Sequence, residues 1–306
     1  MSGKFNENTR VQVPAAIHLH RLGYTYLDHI DDDDYDHYSN ILTKECLSSI
    51  QRINPGKTQA EIVLHLHRLC HAARYDDLGR EFYHMITATS GIRTIDFANP
   101  ANNHWHCTTE FTCENPESHD NFRPDITCFV NGIPLAFIEV KKPNNHEGML
   151  AERERINARF RNKAFRPFLN VTQLMIFSNN QEYDTENVVP VQGAFYATTA
   201  REHTFFNVFH EKEANILRDS GYTEEIDDDV QKRILKHRNC IPIKEDPEYQ
   251  TNKSPHTPTN RLITSLLSRD RFLFLLRYAF AYVEKTIEKA DGTKVETLEK
   301  HIMRYQ

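Results

Sequence analysis

The chain has 306 residues, of which 39% are hydrophobic and 26% are charged, and its formal net charge is −6. This balance is that of a folded globular protein and excludes a polar, disordered chain. The length suggests about two domains. The negative charge gives no support to nucleic-acid binding, so any contacts with phosphate would have to come from local basic patches.

The sequence shows neither a secretion signal nor a membrane span. Its first ten residues, MSGKFNENTR, hold no apolar run. The most apolar stretch, Phe272 to Val283, is short and is interrupted by Arg277, which favours a buried helix. Six widely spaced cysteines do not form the pattern of a disulfide framework in a chain of this length. We therefore expect a cytoplasmic protein in a reducing environment.

Helical signals dominate the first ninety residues. The apolar periodicity between Pro14 and Gly23 predicts a helix that starts near the proline and ends at the glycine. Thr58–Glu61 has the pattern of a capping box at the start of a later helix. The acidic run Asp31–Asp34 is expected to be a solvated loop, since it lacks the glycine and terminal glutamate of an EF-hand calcium loop.

From residue 92 the apolar pattern changes to that of strands. The clearest unit is Pro124–Val130, Asn131-Gly132 and Ile133–Lys141, because Asn-Gly between two apolar runs is a strong hairpin signal. The second run is apolar at almost every position, which predicts that both of its faces are covered. A charged helix is expected over Glu147–Lys163. The other strand candidates are Ile92–Phe97, Trp105–Cys113, Val171–Phe177 and Gly193–Thr198.

The character of the chain changes again after about Ala200. Residues Glu211–Arg238 are expected to be helical, with an interruption at Gly221. Prolines at 242, 247, 255 and 258 then predict a linker, followed by helices over about 260–268 and 270–288. We expect a first domain over residues 1–200 and a mainly helical extension over 201–306 that ends inside a larger protein.

Three ionisable residues stand out because they lie at the ends of apolar strands. Asp125 opens one predicted strand, and Glu139 and Lys141 close the next. Charged groups at such positions cost free energy unless something compensates them. Glu139 and Lys141 are two residues apart, so on a strand they point to the same face. Two neighbouring carboxylates repel each other, and a hard divalent cation such as Mg²⁺ would resolve this by binding both through oxygen.

Whether Asp125 joins the other two residues depends on the register of the hairpin. A two-residue loop at Asn131-Gly132 pairs Asp125 with Ile138 and turns its side chain away from Glu139. A three-residue loop with Gly132 in the left-handed conformation, or a bulge with the same effect, restores a common face. We predict one of these last two arrangements.

These residue types suggest a reaction. Asp125 and Glu139 would hold Mg²⁺ against a phosphate, with the backbone carbonyl of Val140 as a further ligand. The metal would polarise the phosphoryl oxygen and lower the pKa of bound water. Lys141 would orient that water or offset charge in the transition state. The alternative, from the residues alone, is a structural ion pair between Glu139 and Lys141.

A resemblance to a known family follows from the letters around these residues. Pro124-Asp125 with Glu139-Val140-Lys141 resembles the PD-(D/E)XK nuclease motif, which by itself is short and common. The longer string RPDITCFVNGIPLAFIEVKKPNN resembles the N-terminal nuclease domain of the restriction (motor) subunit of type I restriction–modification enzymes. The similarity extends to ENTRVQVPAAIHLHRLGY near the start and to VTQLMIFSNN after the charged helix. It covers about residues 5–200 well and the remainder of the chain more loosely.

This resemblance implies an α/β fold with a PD-(D/E)XK nuclease core, in which helices flank a mixed β-sheet, followed by a mainly helical linker region. It implies Mg²⁺-dependent endonuclease cleavage of double-stranded DNA, coupled in the full-length protein to ATP-dependent translocation. ATP would act only through motor domains beyond residue 306. The implied partners are DNA and the methyltransferase and specificity subunits of a type I restriction complex.

The family pattern also implies residues beyond these three. An acidic residue on the first helix matches Glu7. The family often has a Gln-x-x-x-Tyr motif on the helix after the lysine strand, but this sequence has AERERINARFRNK there. The candidate DNA contacts are Lys142, Arg155, Arg159 and Lys163. The alternative for this helix is a solvated surface whose basic residues pair with Glu152 and Glu154.

Other clusters have simpler explanations. Gly56-Lys57-Thr58 lacks the upstream glycine of a phosphate-binding loop, so Thr58 is expected to be a helix cap. A helix surface, rather than a zinc site, is expected for His65, His67, Cys70 and His71, because no second ligand pair at zinc-site spacing is evident. For the whole chain two alternatives stay open: a docking domain with a degenerate nuclease site, and a free-standing structure-specific nuclease.

Overall fold

The computed structural model describes residues 6–114, 121–143, 148–183, 191–201, 203–211, 220–288 and 292–303. Seven of the described strands form one sheet in chain order: β1 Thr25–Tyr26, β2 Trp105–Thr109, β3 Ile126–Val130, β4 Ile133–Val140, β5 Leu174–Ser178, β6 Ala194–Ala197 and β7 Asn207–Val208. β1 runs parallel to β2 and β4 runs parallel to β5, whereas the other neighbours are antiparallel. The expected mixed sheet is confirmed.

Helices pack against both faces of this sheet. They are α1 Val13–Arg21, α2 Thr43–Ile53, α3 Gln59–Ala72, α4 Arg80–Thr87, α5 Gly148–Arg161, α6 Arg166–Val171, α7 Asp228–His237, α8 Pro247–Asn252, α9 Pro258–Leu267 and α10 Arg269–Tyr278. A large apolar cluster holds residues of α1, α7, α9 and α10. A second cluster holds residues of α5 and α6 with the phenylalanines of the central strands. Every residue of β4 is buried, which confirms that both of its faces are covered.

The β3–β4 hairpin has a two-residue turn and a bulge. Asn131 and Gly132 both have positive φ, of 52° and 77°, which is the geometry of a tight hairpin turn. Phe129 pairs with Pro134, but Cys128 pairs with Ala136, so the register shifts by one residue between them. Proline cannot donate to the ladder and is tolerated at bulges. The three-residue loop is therefore wrong, and the alternative of a bulge is confirmed.

The first helix begins with an irregular turn. Asn8–Gln12 is π-helical, and the N–H of Val13 donates to the carbonyl of Asn8. Pro14 lies in the first turn of α1, as predicted from the sequence. Proline has no N–H to offer the carbonyl four residues before it, and the wider π turn accommodates this gap. Glu7 immediately precedes this turn.

Two of the predicted elements before the hairpin differ in the structure. No strand lies at Ile92–Phe97. Its backbone N–H groups donate to side chains instead of to a neighbouring strand: Arg93 N–H donates to Asn54 Oδ1 at 3.0 Å, and Asp96 N–H donates to Asn103 Oδ1 at 2.9 Å. The strand expected over Trp105–Cys113 ends at Thr109. The next residue, Glu110, has a left-handed φ of 57°, which does not continue a strand.

The predicted helix after β4 ends earlier than expected. Helix α5 ends at Arg161, so Lys163 lies beyond it in a 3₁₀ turn, and Glu147 lies outside the described residues. In the predicted helix Glu211–Arg238, the described helical part is α7, and residues 212–219 lie outside the described ones.

The region after residue 240 is more ordered than a linker. Pro247 and Pro258 occupy the first turns of α8 and α9, where a missing N–H costs little. Every residue of α9 after Pro258 is buried, and its leucines and isoleucine lie in the same apolar cluster as α1. The helix expected over 270–288 ends at Tyr278, and a hairpin follows, formed by β8 Phe280–Glu288 and β9 Lys294–Ile302. The boundary at residue 200 stays a prediction, but segments on both sides of it share one core.

Candidate active site

The bulge brings two carboxylates together at one end of the central strands. Because Ile126 pairs with Ile138, Asp125 and Glu139 come opposite each other one step further along the hairpin. Oδ2 of Asp125 accepts a hydrogen bond of 2.7 Å from the N–H of Val140. Glu139 is buried and Asp125 is partly exposed. The two side chains therefore share the face that the sequence analysis required.

Lys141 lies among these carboxylates. Its Nζ is 3.5 Å from Oε1 of Glu7 and 3.4 Å from Oε2 of Glu152, and it donates to the carbonyl of Val140 at 2.9 Å. The structure thus places Glu7 beside the three strand residues. We call this group the acidic site, and its members are Glu7, Asp125, Glu139, Glu152 and Lys141.

Glu152 is the member that the sequence analysis treated only as a surface partner. It lies on α5, which packs against β5, and its side chain is buried. Besides Lys141 it contacts Arg155, at 3.2 Å. Glu152 lies in the charged segment that follows Glu147, and such segments are usually exposed on a helix surface. For that reason the sequence predicted an exposed side chain. A buried carboxylate there is explained by the lysine that it meets across the site.

The electrostatics of the site favour a cation. Burial, followed by the nearby Asp125, holds the pKa of Glu139 well above its usual value. Burial also raises the pKa of Asp125 and of Glu7, and the neighbouring Lys141 opposes both shifts. Lys141, Arg155 and Arg159 offset part of the charge of the four carboxylates, and the raised pKa values indicate that the remaining negative charge is unfavourable there.

The basic residues of α5 lie near this charge. Arg159 Nη1 is 3.3 Å from Oε1 of Glu139, and its guanidinium lies 4.1 Å from the ring centre of Phe122. Arg155 contacts Glu152 and is half exposed. Lys142 and Lys163 are exposed, and Lys163 lies beyond the helix. For these four residues, contact with DNA stays a prediction, and the pairing of Arg155 with Glu152 matches the alternative weighed from the sequence.

Polar residues outside the acidic site hydrogen-bond to the backbone of Asp125. Its carbonyl accepts hydrogen bonds from Gln12 Nε2, at 2.8 Å, and from the N–H of Glu110, at 3.0 Å. The Glu110 side chain in turn contacts Arg123 at 3.0 Å and Arg238 at 2.7 Å. Neither Gln12 nor Glu110 was a candidate from the sequence, since no local pattern marks a residue that acts through tertiary contacts.

The donor set suits a hard divalent ion. Asp125 and Glu139, with Glu7 close by, offer carboxylate oxygens, which is the chemistry that Mg²⁺ prefers. The Val140 carbonyl, proposed as a further ligand, accepts a hydrogen bond from Lys141 Nζ in this structure. An oxygen that attracts an ammonium group is also a suitable oxygen for a metal ion. The residues present therefore fit the ion that the sequence suggested.

The other clusters take ordinary structural roles. Thr58 accepts from Glu61 N–H in a capping box, which confirms its prediction as a helix cap. His65 bonds to Thr94, at 2.8 Å, and His71 to Tyr75, at 3.2 Å, so these two side chains engage different partners. Within the part of the chain that the structure describes, the histidine-containing group close enough to share an ion is Asp32, His37 and Glu114.

The fold is that of an α/β protein, with a mixed sheet between helices. A family model described as "Type I restriction enzyme R protein N terminus" matches residues 4–185. The chain belongs to this family, and the resemblance drawn from its sequence is confirmed. None of the described helices combines the length and apolar composition that a bilayer crossing requires.

One curated relative supports the same assignment. A protein of Methanocaldococcus jannaschii, provisionally named the endonuclease subunit of the type I restriction enzyme MjaIXP, is 27% identical over 168 residues. The match covers 48% of this chain and 16% of the relative. The chain thus corresponds to a small part of that protein's length.

Proposed function

We propose that this chain is the endonuclease domain of a type I restriction enzyme R subunit and hydrolyses phosphodiester bonds of double-stranded DNA with Mg²⁺. The observation that carries the proposal is the bulged register, which sets Asp125 opposite Glu139 and leaves Lys141 among the same carboxylates. A structural ion pair would not need several carboxylates around one lysine. Such a cluster is costly without a function or a further cation.

Asp125 and Glu139 would hold the ion, with Glu7 and the Val140 carbonyl as further oxygen donors. When bound, Mg²⁺ would polarise a phosphoryl oxygen and lower the pKa of a bound water. Lys141 would donate a hydrogen bond to the attacking water or to a non-bridging phosphate oxygen, where negative charge grows in the transition state. Its carboxylate neighbours, Glu7 and Glu152, would keep its ammonium group charged and directed into the site.

Basic residues near the site would contact the DNA backbone. Lys142 is exposed next to Lys141, and Arg155 lies half exposed at the edge of the acidic site. Arg159 is the least suited of the helix residues while it pairs with Glu139, and Lys163 lies beyond the end of the helix. Such contacts would be independent of sequence, since they read phosphates rather than bases.

The setting of this reaction is also part of the proposal. In the whole protein we propose that cleavage follows ATP-driven translocation, that ATP binds outside this chain, and that methyltransferase and specificity subunits supply sequence recognition. Family membership and the small share of the relative that this chain matches support this setting. A cytoplasmic location would follow from the same assignment.

The test uses the full-length subunit assembled with its partners on plasmid DNA that carries a recognition site. Glu139→Ala and Lys141→Ala should lower cleavage by about a hundred- to a thousandfold, as expected for loss of transition-state stabilisation. ATP hydrolysis should stay at the wild-type rate. Glu154→Ala is the matched control, because Glu154 lies on the exposed side of α5 and pairs with Arg153 at 3.5 Å.

Each other outcome supports a different function. Normal cleavage by Glu139→Ala or Lys141→Ala would refute the proposed site. Assembly of the wild-type protein with its partners, without any cleavage, would favour the docking domain. Cleavage of branched DNA without partners and without ATP would favour the free-standing nuclease.

A further inference from the structure

We propose that Arg238, at the end of α7, is a positioning residue of the nuclease site that fixes Asp125 through Glu110 and Gln12. This inference rests on the proposed function and deepens it. It extends the site into a part of the chain that the sequence analysis placed in a separate extension.

The backbone of Asp125 is held by two donors. Its carbonyl accepts from the N–H of Glu110, at 3.0 Å, and from Nε2 of the buried Gln12, at 2.8 Å. Two donors on one carbonyl fix the plane of the peptide that follows Asp125. The carboxylate is fixed separately, by the N–H of Val140. The position of the proposed metal ligand thus depends on where Glu110 and Gln12 lie.

Glu110 needs outside support to stay in place. Its φ of 57° is in the left-handed region, which is unfavourable for a residue other than glycine. Arg238 Nη2 donates to its Oε1 at 2.7 Å, and Gln12 Nε2 lies 3.4 Å from the same oxygen. The guanidinium therefore holds Glu110 directly, and it reaches Gln12 only through the Glu110 carboxylate oxygen that both contact.

Arg238 is itself held in place at two further points. Its Nε is 3.3 Å from Oδ1 of Asn8, and its carbonyl accepts from Nδ2 of the same residue at 3.3 Å. The preceding His237 bonds to the hydroxyl of Tyr26, which bonds to Thr109, each at 2.7 Å. The end of α7 thus braces the irregular first turn and the last residue of β2 at once. An arginine that acted by charge alone would not need hydrogen bonds to both Asn8 and Glu110.

The variants separate positioning from folding. Arg238→Met keeps the apolar stem and removes the fork, whereas Arg238→Lys keeps the charge. Lys232→Met is the matched control, since it removes one positive charge from the exposed side of α7, where Lys232 pairs with Asp228. Each variant is measured for thermal unfolding, for Mn²⁺ binding to this chain by calorimetry, and for cleavage by the assembled full-length protein across a range of Mn²⁺ concentrations.

We expect Arg238→Met to weaken Mn²⁺ binding and to lower cleavage by about ten- to a hundredfold, in line with the cost of a small misplacement at an active site. Raising the Mn²⁺ concentration should restore part of the rate, and Arg238→Lys should be intermediate. Lys232→Met should match the wild type. A purely structural role would lower the unfolding temperature without changing Mn²⁺ affinity in the folded protein, and that result would overturn the inference.

Failure of the inference can be distinguished from failure of the proposed function. The proposed function fails if the wild-type chain does not bind Mn²⁺, or if it binds Mn²⁺ as well after the substitution Glu139→Ala. If that binding is present and Arg238→Met equals the wild type, only the inference fails. If Arg238→Met does not fold, Glu110→Gln decides: wild-type affinity and cleavage in that variant would overturn the inference, and a loss of both would support it.

Discussion

Arg159 places its guanidinium 3.3 Å from the carboxylate of Glu139, from a helix on the opposite side of the site. The same group lies over the ring of Phe122, so it is fixed from two directions. This relationship gives a buried carboxylate a positive partner within the protein. Any further cation that binds Glu139 would either share its carboxylate with Arg159 or displace the Arg159 guanidinium from it.

The first prediction concerns this pair. Arg159→Met should destabilise the metal-free protein by about 1 to 3 kcal/mol, because it leaves Glu139 buried without its guanidinium partner. Saturating Mg²⁺ should recover more stability in this variant than in the wild type, since the ion would then replace the missing charge. Urea unfolding with and without Mg²⁺ measures both effects. Arg153→Met is the control, because Arg153 lies on the same helix but pairs with Glu154 rather than with the acidic site. An equal Mg²⁺ effect in all three proteins would contradict the prediction.

A second prediction concerns Glu152. Glu152→Gln keeps the shape of the side chain but removes the charge that lies 3.4 Å from Lys141 Nζ. Cleavage should fall by about tenfold, since the ammonium group loses one of its holding contacts. Glu154→Gln makes the same change two residues away on an exposed position and should have no effect. Equal cleavage rates for these two variants would show that Glu152 has no part in the reaction.

The third prediction concerns the tight turn of the hairpin. Gly132→Ala should destabilise the protein by about 2 to 4 kcal/mol, because the new methyl group would come 2.6 Å from the carbonyl of Leu42. Gly91 has the same φ of +77° with nothing within 4 Å, so Gly91→Ala measures the backbone strain alone. The difference between the urea-unfolding midpoints of Gly132→Ala and Gly91→Ala measures the effect of the steric clash with Leu42. A difference near zero would mean that α2 moves away at little cost.

The fourth prediction concerns pH and Lys300. This side chain on β9 is fully buried, donates to the carbonyl of Thr172 at 3.2 Å, and has its pKa lowered by burial to about 7. The unfolded chain holds this proton up to a pKa of about 10.4, so between those two values the unfolded state binds more protons than the folded state. The contribution of Lys300 to stability therefore rises with pH in that window, by about 2 to 3 kcal/mol between pH 7 and 9.5.

Lys300→Met should abolish that rise. Urea unfolding of both proteins at pH 7 and at pH 9.5 gives the measurement, and the subtraction removes the titration of all other groups. Lys285→Met, on the neighbouring strand and ion-paired to Glu299, is the control, because that lysine is half exposed. The prediction fails if the wild type and Lys300→Met change equally with pH.

The sequence predicted the parts of this fold that local chemistry decides. The Thr58 cap, the position of Pro14 and the hairpin at Asn131 depend on nearby residues, and the structure has each of them. The bulge was one of two arrangements that the sequence left open. Pro134, within the second strand, was the local sign that could have selected it.

Other parts depend on contacts that no short window contains. The segment Ile92–Phe97 has the composition of a strand, but its backbone bonds to side chains of Asn54 and Asn103. The strand β8 follows a helix without a break in composition, and the signal for it was the Asp-Gly pair at residue 292. Glu152 and Arg238 join the site only through the tertiary fold, so spacing along the chain could not reveal them.

The bulge between Cys128 and Ala136 limits which insertions and deletions the hairpin tolerates. Substitutions in the two strands alter packing, but an insertion or deletion of one codon between them would shift the pairing by one position. Asp125 would then point to the opposite side of the sheet from Glu139, with every apolar residue of one strand moved to the wrong side. Chain length between Asp125 and Glu139 is therefore under stricter constraint than the identity of most residues between them.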